Sequence, residues 1–124
     1  MILVDTSVWI DHLRGGEKTL VGLLNSAQVC THQFVIGELA CGNLKNRDTF
    51  LSLIKKLPAA KIAMHDEVLY FIEQNQLMGK GIGFIDSHLL ASVALEQHTF
   101  LWTRDKRLAL LANELGMAFQ DPAL

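Results

Sequence analysis

Short apolar runs of strand character alternate with stretches of helical period along this chain, and that alternation leaves few architectures open. Ile2 to Asp5, Gln28 to Thr31 and Phe100 to Thr103 read as strands, Lys61 to Ala63 as a shorter one and Met117 to Phe119 as an edge strand. Between them the apolar positions recur at helical spacing. These stretches run over Val8 to Leu13, Glu17 to Ser26, residues 33 to 42, Arg47 to Leu57, Asp66 to Met78, Asp86 to about Gln97 and Leu108 to Leu115. Gly15-Gly16, Pro58 and Gly116 mark helix ends. Strands that alternate with helices predict an α/β fold whose central parallel sheet has four or five short strands joined by right-handed crossovers. At 124 residues the chain fits a single domain over 1–124, without internal repeat, low-complexity tract or linker. The helix opening at Asp86 is apolar except along His88, Ser92 and Glu96, which predicts the most buried helix.

Acidic residues fall at telling places in that frame. Asp5 ends the run Ile2-Leu3-Val4, Asp86 follows Phe84-Ile85, Asp105 lies just past Phe100-Leu101-Trp102-Thr103, and each precedes a helical pattern. In parallel α/β sheets the carboxyl ends of the strands and the following helix N-termini open on one edge, where ligands bind. Any one of these aspartates alone is explained as a helix N-cap. Glu38 is different: it shares an otherwise apolar helix face with Phe34, Val35 and Leu39, where a buried carboxylate is costly unless paired or metal-bound, the alternative being a helix edge that leaves it solvated. Four carboxylates meeting at one edge would repel one another unless a cation held them. The economical reading is a site for Mg²⁺, with Mn²⁺ as the close substitute, built from oxygen ligands alone.

Composition narrows the class further. Half of the residues are apolar and only 19% charged, so part of the apolar surface is expected to face a partner subunit. Cys30 and Cys41 show no metal-ligand spacing and read as reduced thiols in apolar surroundings, which suits a cytoplasmic protein. No basic leader and no apolar run near the length of a membrane span is visible, so neither export nor membrane insertion is expected. The net charge of −2 argues against nucleic-acid binding, but 13 Asp+Glu less the four singled out leaves 9 against 11 Lys+Arg, a balance of +2. The five histidines, His12, His32, His65, His88 and His98, lack zinc-ligand spacing. Gly79, Gly81 and Gly83 match no phosphate-binding fingerprint and read as a turn.

Four segments carry a family resemblance: Val4-Asp5-Thr6-Ser7-Val8-Trp9-Ile10, Ile36-Gly37-Glu38-Leu39, Gly83-Phe84-Ile85-Asp86-Ser87-His88-Leu89-Leu90-Ala91 and Thr103-Arg104-Asp105-Lys106-Arg107-Leu108. In order, flanks and overall length the chain resembles the PIN-domain ribonucleases, and more narrowly the VapC-type toxins of bacterial toxin–antitoxin modules. The resemblance implies a three-layer α/β/α fold, a Mg²⁺-dependent endoribonuclease, a homodimer, and neutralisation by a small cognate antitoxin. It also implies an acidic site of Asp5, Glu38, Asp86 and Asp105, supported by the hydroxyls of Thr6, Ser7 and Thr103.

The chemistry agrees with that resemblance. Phosphodiester hydrolysis requires a nucleophilic water, charge neutralisation at the phosphoryl oxygens and help for the leaving oxygen, all of which one or two carboxylate-held Mg²⁺ ions can supply. Asp5 and Asp86 are expected as primary ligands, with Glu38 and Asp105 completing a second site or orienting the water. Arg104 and Arg107, with Lys106, Arg14, Lys45 and Arg47, flank the acidic segments as candidate contacts for RNA phosphates. Trp9 and Trp102 could stack on bases, but packing is the simpler expectation. A phosphoaspartate receiver or phosphatase would also gather acids and Mg²⁺ at strand ends. It would show adjacent acids or an Asp-x-Asp after the first strand, where this chain has Asp5-Thr6-Ser7.

Overall fold

Ile2, Leu3 and Val4 point alternately to the two faces of a strand, yet all three are buried, so β1 (Ile2–Val4) has cover on both sides. The computed structural model, which describes residues 1–123, sets β1 at the centre of a parallel sheet of order β2-β1-β3, with β2 at Val29–Cys30 and β3 at Phe100–Trp102. Two single bridges widen it: Ala59 pairs with Thr31 beyond β2, and Ala118 pairs with Leu101 beyond β3. The expected sheet of four or five strands is thus three regular strands with a one-residue pairing on either edge. The helices are α1 (Thr6–Gly15), α2 (Lys18–Asn25), α3 (Gln33–Ala40), α4 (Arg47–Ile54), α5 (His65–Gln74), α6 (Phe84–Ala94) and α7 (Lys106–Glu114). One apolar cluster joins the sheet to the helices, with Leu3, Val4, Leu89, Leu90, Leu101, Trp102 and Leu108 among its fully enclosed side chains.

The predicted strand Lys61 to Ala63 does not form. The Lys61 N–H donates to Glu96 Oε1 and the Ala63 N–H to Ser92 Oγ, so side chains of the helix α6 region take the donors a sheet would have used. The pairing that does form lies just upstream, where the Thr31 N–H donates to Pro58 O (2.8 Å) and the Ala60 N–H to Thr31 O (2.7 Å). The polar stripe of α6 therefore faces protein. Ser92, fully enclosed, also lies 3.0 Å from His32 Nε2, while His32 Nδ1 accepts from the Phe34 N–H and caps α3. With Nδ1 accepting, the proton sits on Nε2 and points at Ser92. Seven consecutive residues, Ser87 to Val93, are buried, and α6 is the most enclosed helix, as its sequence predicts.

Two helix boundaries and the setting of one cysteine also differ from expectation. The helix predicted to reach Met78 ends at Gln74, because Gln76 (φ 52°) and Gly79 (φ 70°) take left-handed backbone. The helix predicted to open at Asp86 starts at Phe84, so Phe84-Ile85 is helix and no strand precedes that aspartate. Cys30 is enclosed, with burial pushing its thiol up to about 11, whereas Cys41 is exposed at the end of α3 instead of in apolar surroundings.

Candidate active site

Strand register brings the first two site elements together. Val4 is opposite Trp102, so Asp5 and Thr103 leave the sheet side by side, and the Asp5 N–H donates to Trp102 O (2.9 Å). The buried Asp5 carboxylate accepts at Oδ2 from Thr103 Oγ (2.7 Å) and from Ser7 Oγ (2.8 Å). Each hydroxyl is itself fixed from behind: Thr103 Oγ accepts from the Asp105 N–H (3.1 Å) and Ser7 Oγ from the Arg104 N–H (3.0 Å). Position 5 is also the N-cap of α1, but its side chain makes no capping hydrogen bond, because the hydroxyls hold it instead.

The other three acids follow one rule. Glu38 Oε1 accepts from Thr6 Oγ (2.8 Å), Asp86 Oδ2 from the Gly83 N–H (3.1 Å), and Asp105 Oδ1 from the Leu108 N–H (3.0 Å) as the N-cap of α7. Among the described residues, each of the four carboxylates has one anchored oxygen and one, Asp5 Oδ1, Glu38 Oε2, Asp86 Oδ1 and Asp105 Oδ2, that no protein group hydrogen-bonds. Asp86 reaches this from within the first turn of its helix, not from a strand end.

The four share one electrostatic field. The Asp86 carboxyl is pushed up first by burial and then, against the Gly83 hydrogen bond, by the charges of Asp5, Asp105 and Glu38. Four of the other nine acids are neutralised locally, Asp11, Glu17 and Asp121 by Arg104 and Asp48 by Arg47, and among the described residues no Lys, Arg or His nitrogen lies within 4.0 Å of the four site carboxylates. An all-oxygen, uncompensated donor set fits a hard divalent cation. Among the described residues no three His, Cys, Asp or Glu side chains close into a ready-made ligand shell. Mg²⁺ does not need one, since it binds through one or two carboxylates and keeps waters or substrate oxygens elsewhere.

The flanking cations divide sharply. Arg104 is consumed within the protein: Nε and Nη2 bond the two oxygens of Asp121 (2.8 and 3.4 Å), and Nη1 reaches Asp11 (2.9 Å) and Glu17 (2.8 Å). It also lies 5.7 Å from the Trp102 ring centre, and with four N–H donors engaged a single Nη2 N–H is left for the RNA contact expected of it. Arg47 donates to Ala40 O. Arg107, Arg14 and Lys45 are exposed, the last two beside a groove of about 480 Å³ floored by Ile10, Leu13 and Leu44. Trp9 and Trp102 are buried core residues, so packing accounts for both. The Arg104 clamp has no signature in the sequence, because its partners stand at positions 11, 17 and 121 in three separate elements.

The family described as PIN domain matches residues 2–114. Two relatives are each 47% identical over 121 residues, covering 98% of both chains: Ribonuclease VapC32 of Mycobacterium tuberculosis strain CDC 1551 / Oshkosh and Ribonuclease VapC32 of strain ATCC 25618 / H37Rv.

Proposed function

This chain belongs to the PIN-domain family and is of the VapC ribonuclease-toxin type, and on that premise we propose that it is an endoribonuclease working at Asp5, Glu38, Asp86 and Asp105 with Mg²⁺, or Mn²⁺, as cofactor. The observation that carries the proposal is the common pattern of the four carboxylates: among the described residues each has one oxygen held by the protein and the other free, with no protein cation within 4.0 Å. When bound, the metal supplies charge neutralisation at the phosphoryl oxygens and acidifies a water. The protein's share is positioning. Asp5 is held by two hydroxyls and Asp86 by a backbone amide, so their free oxygens are set as primary ligands. Glu38 is oriented by Thr6, and Asp105 by its own helix; these two orient the attacking water or complete the ligand set.

Control of such a site follows from its charge. A cognate antitoxin is the proposed inhibitor, presenting an Arg or Lys to the four acids while it covers exposed apolar helices. RNA is the proposed substrate and the homodimer the proposed working form. The direct test of the activity is incubation of purified protein with bacterial RNA, mapping new 5′ ends with Mg²⁺ and with EDTA. Discrete new ends with Mg²⁺ that vanish in EDTA are expected; an unchanged pattern with chelator present would remove the metal from the account.

A further inference from the structure

Two residues after Asp105 stands a cation, Arg107, that no other described residue pairs. The Arg107 side chain crosses directly over the backbone of Gly81: a Cβ at residue 81 would stand 2.6 Å from Nη1, 2.8 Å from Cδ and 3.0 Å from Cζ of Arg107. Only glycine leaves that space, and only glycine adopts the local φ of +82° without strain. The same turn is tied to the acidic site two residues later, where the Gly83 N–H donates to Asp86, while Arg107 itself stands two residues after Asp105. Yet among the described residues Arg107 has no carboxylate within 4.0 Å and no hydrogen-bond partner. Its neighbour Arg104, by contrast, is paired with three acids. A guanidinium resting on the turn that leads to Asp86, two residues after Asp105 and paired by no described carboxylate, is placed for an anion brought in from outside.

Resting on the ribonuclease reading above, we infer that Gly81 is the seat of Arg107 and that the seated guanidinium binds a backbone phosphate of the RNA next to the one being cleaved. Gly81 is a positioning residue in this scheme, acting only through Arg107. Any side chain at 81 displaces the far end of a flexible arginine, which leaves the fold intact and removes the phosphate contact.

The test is a double-mutant cycle on Gly81→Ala and Arg107→Ala, with Gly79→Ala as the control. Gly79 also has positive φ (+70°), so it carries the same backbone strain, but nothing lies within 4 Å of its Cβ position. Cleavage of total bacterial RNA in Mg²⁺ gives an apparent KM and kcat at several salt concentrations, and thermal unfolding checks each variant's fold. Gly81→Ala and Arg107→Ala are each expected to raise KM about tenfold, to change kcat by less than about twofold and to lower the salt slope by about one. The double variant should be no worse than either single one, and Gly79→Ala should stay within about twofold of the unaltered protein. Equal effects of Gly81→Ala and Gly79→Ala would overturn the seat, as would effects of Gly81→Ala and Arg107→Ala that multiply. An unchanged KM in Arg107→Ala, on the native Gly81 backbone, would overturn the phosphate contact whatever Gly81→Ala does. RNA left uncut by the unaltered protein would instead sink the ribonuclease reading, and this inference with it.

Discussion

At the scale of single residues the site is held by hydroxyls. Thr103, almost fully buried, donates to Asp5 and accepts from the Asp105 N–H, so one oxygen aligns two of the four acids. Thr103→Val keeps the shape and removes both bonds. It is expected to lower stability by about 2 kcal/mol, measured by urea unfolding, and to depress RNA cleavage with it; a loss below about 0.5 kcal/mol would mean that other groups orient these acids. His32 sets a pH dependence elsewhere in the fold. Burial, then the charge of His88, lowers it from 6.5 to about 4, so between those values the unfolded chain holds a proton that the folded one lacks. The stability it contributes is full above about pH 6.5 and lost as pH falls to about 4, on the order of 3 kcal/mol. His32→Asn retains an acceptor for the Phe34 N–H without titrating there. Urea unfolding across that window should show a shallower slope for the variant, and an unchanged slope would exonerate His32.

At the scale of elements, what could be read in advance was what periodicity and end signals encode. The runs at Ile2 and Phe100 became β1 and β3, and their register accounts for Asp5 meeting Thr103. Asp105 is a capping residue, as its place before α7 suggests, and it still keeps one oxygen free. Other features depend on partners that no local pattern names. The segment 61–63 has strand-like residues, yet Ser92 and Glu96 capture its amides from more than 25 positions away. Arg104 and Arg107 look alike as flanking cations, but one closes on carboxylates from α1, the residue before α2 and the C-terminal segment, while the other rests on a glycine. Burial pushes the Asp121 carboxyl up, but the hydrogen bonds it accepts, first among them those from Arg104 and then that from the Ala123 N–H, together with the Arg104 charge hold it below the usual carboxylate range. With the Asp121 side chain only 2% exposed, Arg104→Met should cost about 3–5 kcal/mol in urea unfolding by leaving a buried charge unpaired. Arg107→Ala should cost less than about 0.5 kcal/mol, as an exposed side chain would. Equal losses in the two variants would contradict this division of labour.

At the scale of the whole molecule, two surfaces remain unexplained by the monomer. One is apolar: Met64 is 71% and Tyr70 66% exposed, beside a cleft of about 500 Å³ between α5 and α6 lined by Ala63, Phe71, Ala91 and Leu95. Such a face suits association, so light scattering at micromolar concentration should give a mass above the 13.8 kDa of one chain, and a stable 13.8 kDa species would argue against the dimer. The other surface is the acidic edge itself, where four charges from four parts of the chain act on one another and, among the described residues, none has a cation within 4.0 Å. Asp5→Asn, Glu38→Gln, Asp86→Asn and Asp105→Asn each retain an oxygen for the anchoring hydrogen bond and remove one charge, so their folds should survive. The decisive measurement is the rate of RNA cleavage in Mg²⁺ by these four variants beside the unaltered protein. The Asp5→Asn and Asp86→Asn variants should fall by at least about a hundredfold and the other two by tenfold or more, whereas full activity in Asp5→Asn and Asp86→Asn would contradict a metal-dependent site built on these carboxylates.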